Sequence, residues 1–144
     1  MSDIFQFKHF AIKQDKCAMK VGTDGVLLGA WTKTPNGNIL DIGCGSGLIS
    51  LMIAQRNQNA KIEAIDIDEN AFLEANENIS NSPWKDIVNS FNTSLQNFIS
   101  DKKYSLIVSN PPFFVNATKA ENISKNLARH TEGFASTAGD FYGQ

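Results

Sequence analysis

Cysteine is scarce: Cys17 and Cys44 are the only two in 144 residues, too few and too isolated for a zinc site or a disulfide framework. No metal is therefore expected. Long apolar runs are missing as well. Stretches such as Val26 to Trp31 fall far short of the roughly 20 residues that cross a bilayer. The start Met1-Ser2-Asp3-Ile4 has neither the basic nor the apolar region of a signal peptide. These absences predict a soluble, cytoplasmic chain. Excess charge of one sign is absent too: a net charge of -2 and a pI near 5.6 exclude nucleic-acid binding through bulk positive charge. A local basic face is still allowed, because residues 1 to 33 hold five lysines against three aspartates, a balance of +2. The only histidines, His9 and His130, read as surface or packing residues rather than catalysts.

What is present is an alternation of short β-branched runs with helical stretches, the pattern of βαβ units and a parallel sheet. Asp24 to Trp31 suits a helix capped by Thr23 or Asp24. Asn38 to Ile42 then reads as a strand, Leu48 to Gln55 as a helix, and Lys61 to Asp66 as a second strand. Glu69 to Ile79 follows as a helix with Phe72, Ala75 and Ile79 on one face, N-capped by Asp68. Ile87 to Phe91 is a weaker third strand, Ser94 to Ile99 a short helix, and Tyr104 to Ser109 a buried fourth strand ended by Asn110-Pro111-Pro112. Residues 1–37 thus form an N-terminal segment and helix, 38–131 the core, and 132–144 an atypical, glycine-bearing tail. One helix is expected around Ala120 to Leu127. A sheet ending on so apolar a fourth strand leaves an edge for which the remaining sequence offers no comparable partner, so the domain reads as stopping early. Most of the ten phenylalanines read as core. Phe5, Phe7 and Phe10 suit a strand or a base-stacking platform, with core packing the expected use.

Two motifs carry chemistry. The first is Leu40-Asp41-Ile42-Gly43-Cys44-Gly45-Ser46-Gly47-Leu48, a strand running through G-x-G-x-G into a helix. Such glycines allow a tight turn and let a ligand lie on backbone N–H groups at a helix start. A dinucleotide fingerprint would place its third glycine where Leu48 stands, so the spacing favours S-adenosylmethionine over NAD. Nineteen residues past Gly47, Asp66 closes the second strand, where a carboxylate can accept both ribose hydroxyls. Cys44 reads as a small loop residue, not a nucleophile, since no histidine is placed to activate it. The second motif is Asn110-Pro111-Pro112-Phe113. In a doubly wound sheet ordered 3-2-1-4, strands one and four are neighbours, and this tetrapeptide meets the glycine loop over one crevice although 63 positions separate Gly47 from Asn110. The Asn110 side-chain oxygen and the Pro111 carbonyl can accept hydrogen bonds from an amino group, while Phe113 offers a face to a planar base. Such a site orients a nitrogen lone pair rather than deprotonating it.

G-x-G-x-G, the strand-two acid and N-P-P-F together resemble the amino-directed class I methyltransferases, a Rossmann-like α/β fold with a doubly wound, mostly parallel sheet. Residues 5 to 31, including Cys17-Ala18-Met19-Lys20-Val21-Gly22-Thr23-Asp24-Gly25, narrow the resemblance to the tRNA1(Val) adenine-37 N6-methyltransferase family, and it runs on through Asn81-Ser82-Pro83-Trp84 to Ala128-Arg129-His130. That resemblance implies methyl transfer from S-adenosylmethionine to the N6 of an adenine in the anticodon loop of tRNA. Asn110, Pro111, Pro112 and Phe113 become the catalytic candidates. Lys20, Thr23, Asp41, Gly43, Gly45, Gly47, Asp66 and Ser94 become the cofactor-binding candidates. Ser94 stands near where related enzymes carry an acidic residue for the cofactor's adenine, and Arg129 is a candidate phosphate contact. The family fold, as the resemblance implies, has seven strands, of which this chain reaches four. Other amino-directed methyltransferases, acting on guanine N2 of ribosomal RNA or on a protein glutamine, fit the same tetrapeptide. A fragment that only binds cofactor or RNA is the non-enzymatic alternative.

Overall fold

The computed structural model describes residues 3–111. A small antiparallel hairpin comes first, β1 (Ile4–Gln6) against β2 (Ala11–Lys13). Helix α1 (Thr23–Trp31) follows, then β3 (Gly37–Ile42), α2 (Leu48–Arg56), β4 (Ala60–Asp66), α3 (Glu69–Ser80), β5 (Val88–Asn92) and β6 (Leu106–Ser109). The last four strands form one parallel sheet in the order β5-β4-β3-β6. Counted along the sheet strands alone this is 3-2-1-4, so the chain reverses direction beside β3 and opens a crevice at the carboxyl ends of β3 and β6.

Side-chain alternation explains why the sheet is buried on both faces. Ile39, Ile62, Val88, Leu106 and Val108 enter one core with Leu48, Leu51 and Ile53 of α2, Ile79 of α3, and Ile12 and Phe10 of the hairpin region. Leu40, Ile42, Ile65 and Ile107, offset by one residue, enter the other with Leu95, Phe98 and Tyr104. The hydroxyl of buried Tyr104 donates to Glu63 Oε1 at 2.9 Å, which satisfies the one carboxylate that β4 turns into that second core.

Two local expectations need correction. The stretch Ser94 to Ile99 is a turn rather than a helix: Ser94 Oγ accepts from the Asn97 N–H at 3.2 Å, a local bond that competes with helical pairing. Helix α1 is capped by extended Gly22, with no side-chain cap, and Thr23 is already its first residue. The expected core packing holds for Phe10, which is buried, stacks on Phe7 at 4.7 Å and meets the Trp84 ring edge-on at 5.5 Å. Asp68 does cap α3, accepting from the Asn70 N–H at 3.0 Å. The expected helix at 120–127 and the tail lie outside the described residues, as do Pro112, Phe113, Arg129 and His130.

Candidate active site

The glycine loop lies between β3 and α2. Gly43, Gly45 and Gly47 all have positive φ, at 66°, 56° and 88°, a region where side-chain-bearing residues are strained. The Gly43 and Cys44 N–H groups both donate to the Ile65 carbonyl, at 2.8 and 3.0 Å, which ties the loop to the end of β4. Gly47 caps α2, so the loop delivers the positive end of a helix to the crevice.

A cavity of about 1300 Å³ opens there, walled by Met19 to Gly25 and the outer turns of α1 on one side, and floored by Gly43 to Ser46 with Leu48 and Ile49. Asn110 and Pro111 complete it. Thus Lys20, Thr23, Gly43, Gly45, Asn110 and Pro111 share one enclosure, with Asn110 brought to the loop by β3–β6 pairing (Ile42 beside Ser109). The Ser109 hydroxyl donates to the Ile42 carbonyl at 2.8 Å and fixes that end of the pair. Gly25 of α1 is part of the fit, since a Cβ there would come within 3.4 Å of the Asn110 amide nitrogen.

Four candidates sit elsewhere. Asp66 is not among the residues that line the cavity; its carboxylate accepts from the Gly45 N–H at 2.8 Å and the Asp68 N–H at 2.9 Å. Beside it Ile67 is 77% exposed, an apolar ledge next to an acid that the sequence reading passed over. Ser94 follows β5 at the same end of the sheet, two residues past Asn92, which pairs with Asp66 and donates through its side-chain amide to the Asp66 carbonyl at 3.0 Å. Gly47 packs toward Ala75 of α3. Asp41 does not line the cavity: it is 1% exposed beneath the loop, where Oδ2 accepts from the Ser50 hydroxyl at 2.7 Å and Oδ1 has no partner. Burial pushes its carboxyl up to about 6.

The remaining charges and thiols narrow the chemistry. Lys20 is ion-paired with Asp3, which raises the ammonium, while the Gln14 amide and then the Lys20 ammonium lower the Asp3 carboxyl. Burial raises Cys17 to about 12 and Cys44 well above the ordinary thiol value, so neither supplies a thiolate near neutral pH. Among the described residues no group of three or more His, Cys, Asp or Glu is arranged to hold a metal. What the enclosure offers is a backbone-floored groove ending at side-chain and main-chain acceptors, suited to a nucleoside-like ligand beside a planar amino group.

Residues 18–142 match the family model described as methyltransferase small domain. The chain belongs to the methyltransferase small domain family. A tRNA1(Val) (adenine(37)-N6)-methyltransferase of Parabacteroides distasonis is 54% identical over 131 residues, covering 89% of this chain and 55% of that protein. One so named from Trichodesmium erythraeum is 53% identical, with 89% and 56% covered. This methyltransferase domain thus spans about half the length of the curated relatives it matches. Among solved structures, a plantazolicin methyltransferase in complex with SAH superposes with a TM-score of 0.54 at 28% identity, covering 74% of this chain and 39% of that one. P. horikoshii TYW2 in complex with MeSAdo gives 0.59 at 23%, covering 68% and 38%. The fold is therefore Rossmann-like, of the class I methyltransferase type, and the sheet order agrees with it. Among the described residues no helix is long and apolar enough to cross a membrane.

Proposed function

We propose that this domain is the catalytic core of an S-adenosylmethionine-dependent enzyme that methylates the exocyclic N6 of an adenine in a tRNA anticodon loop, adenine 37 of tRNA1(Val). The observation that carries the reading is the single enclosure shared by the glycine loop and Asn110-Pro111. The names of relatives 53–54% identical over most of this chain supply the substrate.

The residues present fit such a donor. Positive-φ Gly43 and Gly45 have no heavy atom within 4 Å of where a Cβ would stand, so backbone alone forms the cradle. Asp66 keeps spare lone pairs for ribose hydroxyls beyond its two backbone bonds, and exposed Ile67 offers a surface for an apolar ring face. Lys20 and Thr23 would meet the amino-acid end, with Ser94 at the adenine end. Asp41 supports the loop from beneath. Bound there, S-adenosylmethionine supplies an electrophilic methyl group. The Asn110 side-chain oxygen and the Pro111 carbonyl accept from the two amino hydrogens, which aims the nitrogen lone pair along the displacement direction. Pro112 and Phe113 continue the motif, and Phe113 would stack on the base. A stacked adenine cannot reach such a site, so the target must be unpaired or flipped out. A cytoplasmic location follows from a tRNA substrate.

The test is methyl transfer from isotopically labelled donor by the full-length protein to tRNA lacking modifications, with nucleoside analysis of the product. Labelled N6-methyladenosine mapped to position 37 supports the reading. Label in guanine N2 of ribosomal RNA, in a glutamine side chain, or nowhere would overturn it.

A further inference from the structure

Two neighbouring side chains on α3, outside every motif considered so far, hold together the two walls of the cavity. Glu74 is 0% and Asn78 4% exposed, four residues apart and so on one face of the helix. A buried carboxylate is costly unless its oxygens are satisfied. Glu74 accepts the Lys16 N–H at 2.7 Å on one oxygen and the Cys17 N–H at 3.0 Å on the other. Asn78 does more. Its Oδ1 accepts from the Lys13 N–H at 2.9 Å, while Nδ2 donates to the Lys13 carbonyl at 2.9 Å and to the Ser46 carbonyl at 2.8 Å. Lys13 ends β2, and Ser46 belongs to the glycine loop.

Between β2 and α1 the chain has no strand or helix, and side chains set its course. Gln14 Oε1 accepts from the Val21 N–H at 2.8 Å, and the Cys17 thiol donates to the Met19 carbonyl at 3.3 Å. The segment so shaped, Met19 to Gly22, is the cavity wall that faces the loop. A single amide, Asn78, is hydrogen-bonded to both sides of this arrangement.

We propose that Asn78, supported by Glu74, is a positioning residue that sets the spacing between the Met19–Gly22 wall and the glycine loop, and thereby the affinity for the methyl donor. The inference rests on the cofactor reading above. Asn78→Asp keeps the acceptor for Lys13 N–H but turns an acceptor toward two carbonyls. Glu74→Gln breaks the clamp only on the N-terminal side. Ser82→Ala is the control: its buried hydroxyl donates to the Ile79 carbonyl at 2.8 Å, away from the cavity, so its loss reports stability alone.

In the full-length protein, calorimetric titration with S-adenosylmethionine and thermal unfolding are measured on each variant. Asn78→Asp is expected to raise Kd about 10-fold and Glu74→Gln about 3-fold, the scale of one or two misplaced hydrogen bonds. Ser82→Ala should lower Tm without moving Kd, and kcat at saturating donor should stay within about 3-fold for all three, because the loss lies in ground-state binding. Kd values that track Tm across the three variants, or stay at the wild-type value in folded Asn78→Asp, would reduce the clamp to a stabilising contact. Should Asn78→Asp fail to fold, an unchanged Kd in Glu74→Gln has the same force. A wild-type protein that does not bind the donor would sink the cofactor reading itself, a failure visible before any variant is compared.

Discussion

Asn110 and Asp41 show how differently two polar residues at one site are used. Asn110 lines the cavity with its amide nitrogen beside Gly25. It touches only the nucleophile in the proposed reaction. Asn110→Ala in the full-length enzyme is therefore expected to lower turnover on tRNA about 100-fold while donor affinity stays within about 2-fold, since lost orientation acts on the chemical step. Single-turnover kinetics with calorimetry checks both halves, and full turnover would remove Asn110 from the mechanism. Asp41 is closed in, with one oxygen on Ser50 and the other unpartnered. Burial raises its pKa from 3.8 to about 6, so the folded chain holds this proton more tightly than the unfolded one. Its contribution to stability is thus fully present below about 4 and is lost as pH climbs through about 6. Asp41→Asn removes the buried charge. The variant should exceed wild type by on the order of 1 to 3 kcal/mol at pH 7, with the gap closing near pH 4. Urea denaturation at the two pH values measures this, and a variant no more stable at pH 7 would show that the carboxylate is better solvated than its burial implies.

At the scale of elements, α1 and α2 meet through a glycine. A Cβ on Gly29 would lie 2.4 Å from Met52 Sδ and 3.1 Å from Met52 Cβ, so the two helices approach as closely as they do because α1 has no side chain there. Gly29→Ala gains about 1 kcal/mol of helix propensity but forces Met52 and the α1 axis apart. A net loss of about 1 to 3 kcal/mol is expected, read as a lower Tm, with a weakened donor site because α1 carries the cavity wall. A higher Tm would mean that Met52 moves aside freely. The elements themselves were largely legible. Alternating Ile39, Leu40, Asp41 and Ile42, the Asp68 cap and the proline stop after Ser109 each act locally, and each has its expected place. The β1–β2 hairpin was legible only in part: the Phe5, Phe7 and Phe10 alternation suits a strand, and Phe5 lies in β1, but strands of three residues are too short to show the pairing. The Glu74–Asn78 clamp was not legible, because four-residue spacing of polar residues on a helix ordinarily marks a solvated face, and only tertiary contact turns it inward. Asp66 reads as a ribose acceptor from its place at the strand end, but its two bonds to the Gly45 and Asp68 N–H groups depend on how the loop folds back.

For the molecule as a whole, the edge of the sheet decides the expectation. Strand β6 pairs with β3 on one side, and among the described residues no strand pairs with its other side, although Leu106, Ile107 and Val108 are buried. Helix α1 adds Leu27, 41% exposed, and Trp31, 79% exposed, both at the cavity wall. An apolar edge that no described strand pairs, together with exposed aromatic surface, is a template for association. The 144-residue chain is therefore expected to self-associate at micromolar concentration and to unfold over a broad, concentration-dependent transition. Light scattering across a dilution series and calorimetric unfolding report both properties on one preparation. Substituting Trp31→Lys should shift the scattering toward monomer, because it removes the largest exposed aromatic surface on α1. A monomeric wild-type chain with a sharp cooperative transition would overturn this expectation, and would mean that β6 and the α1 face are covered by other residues of the chain.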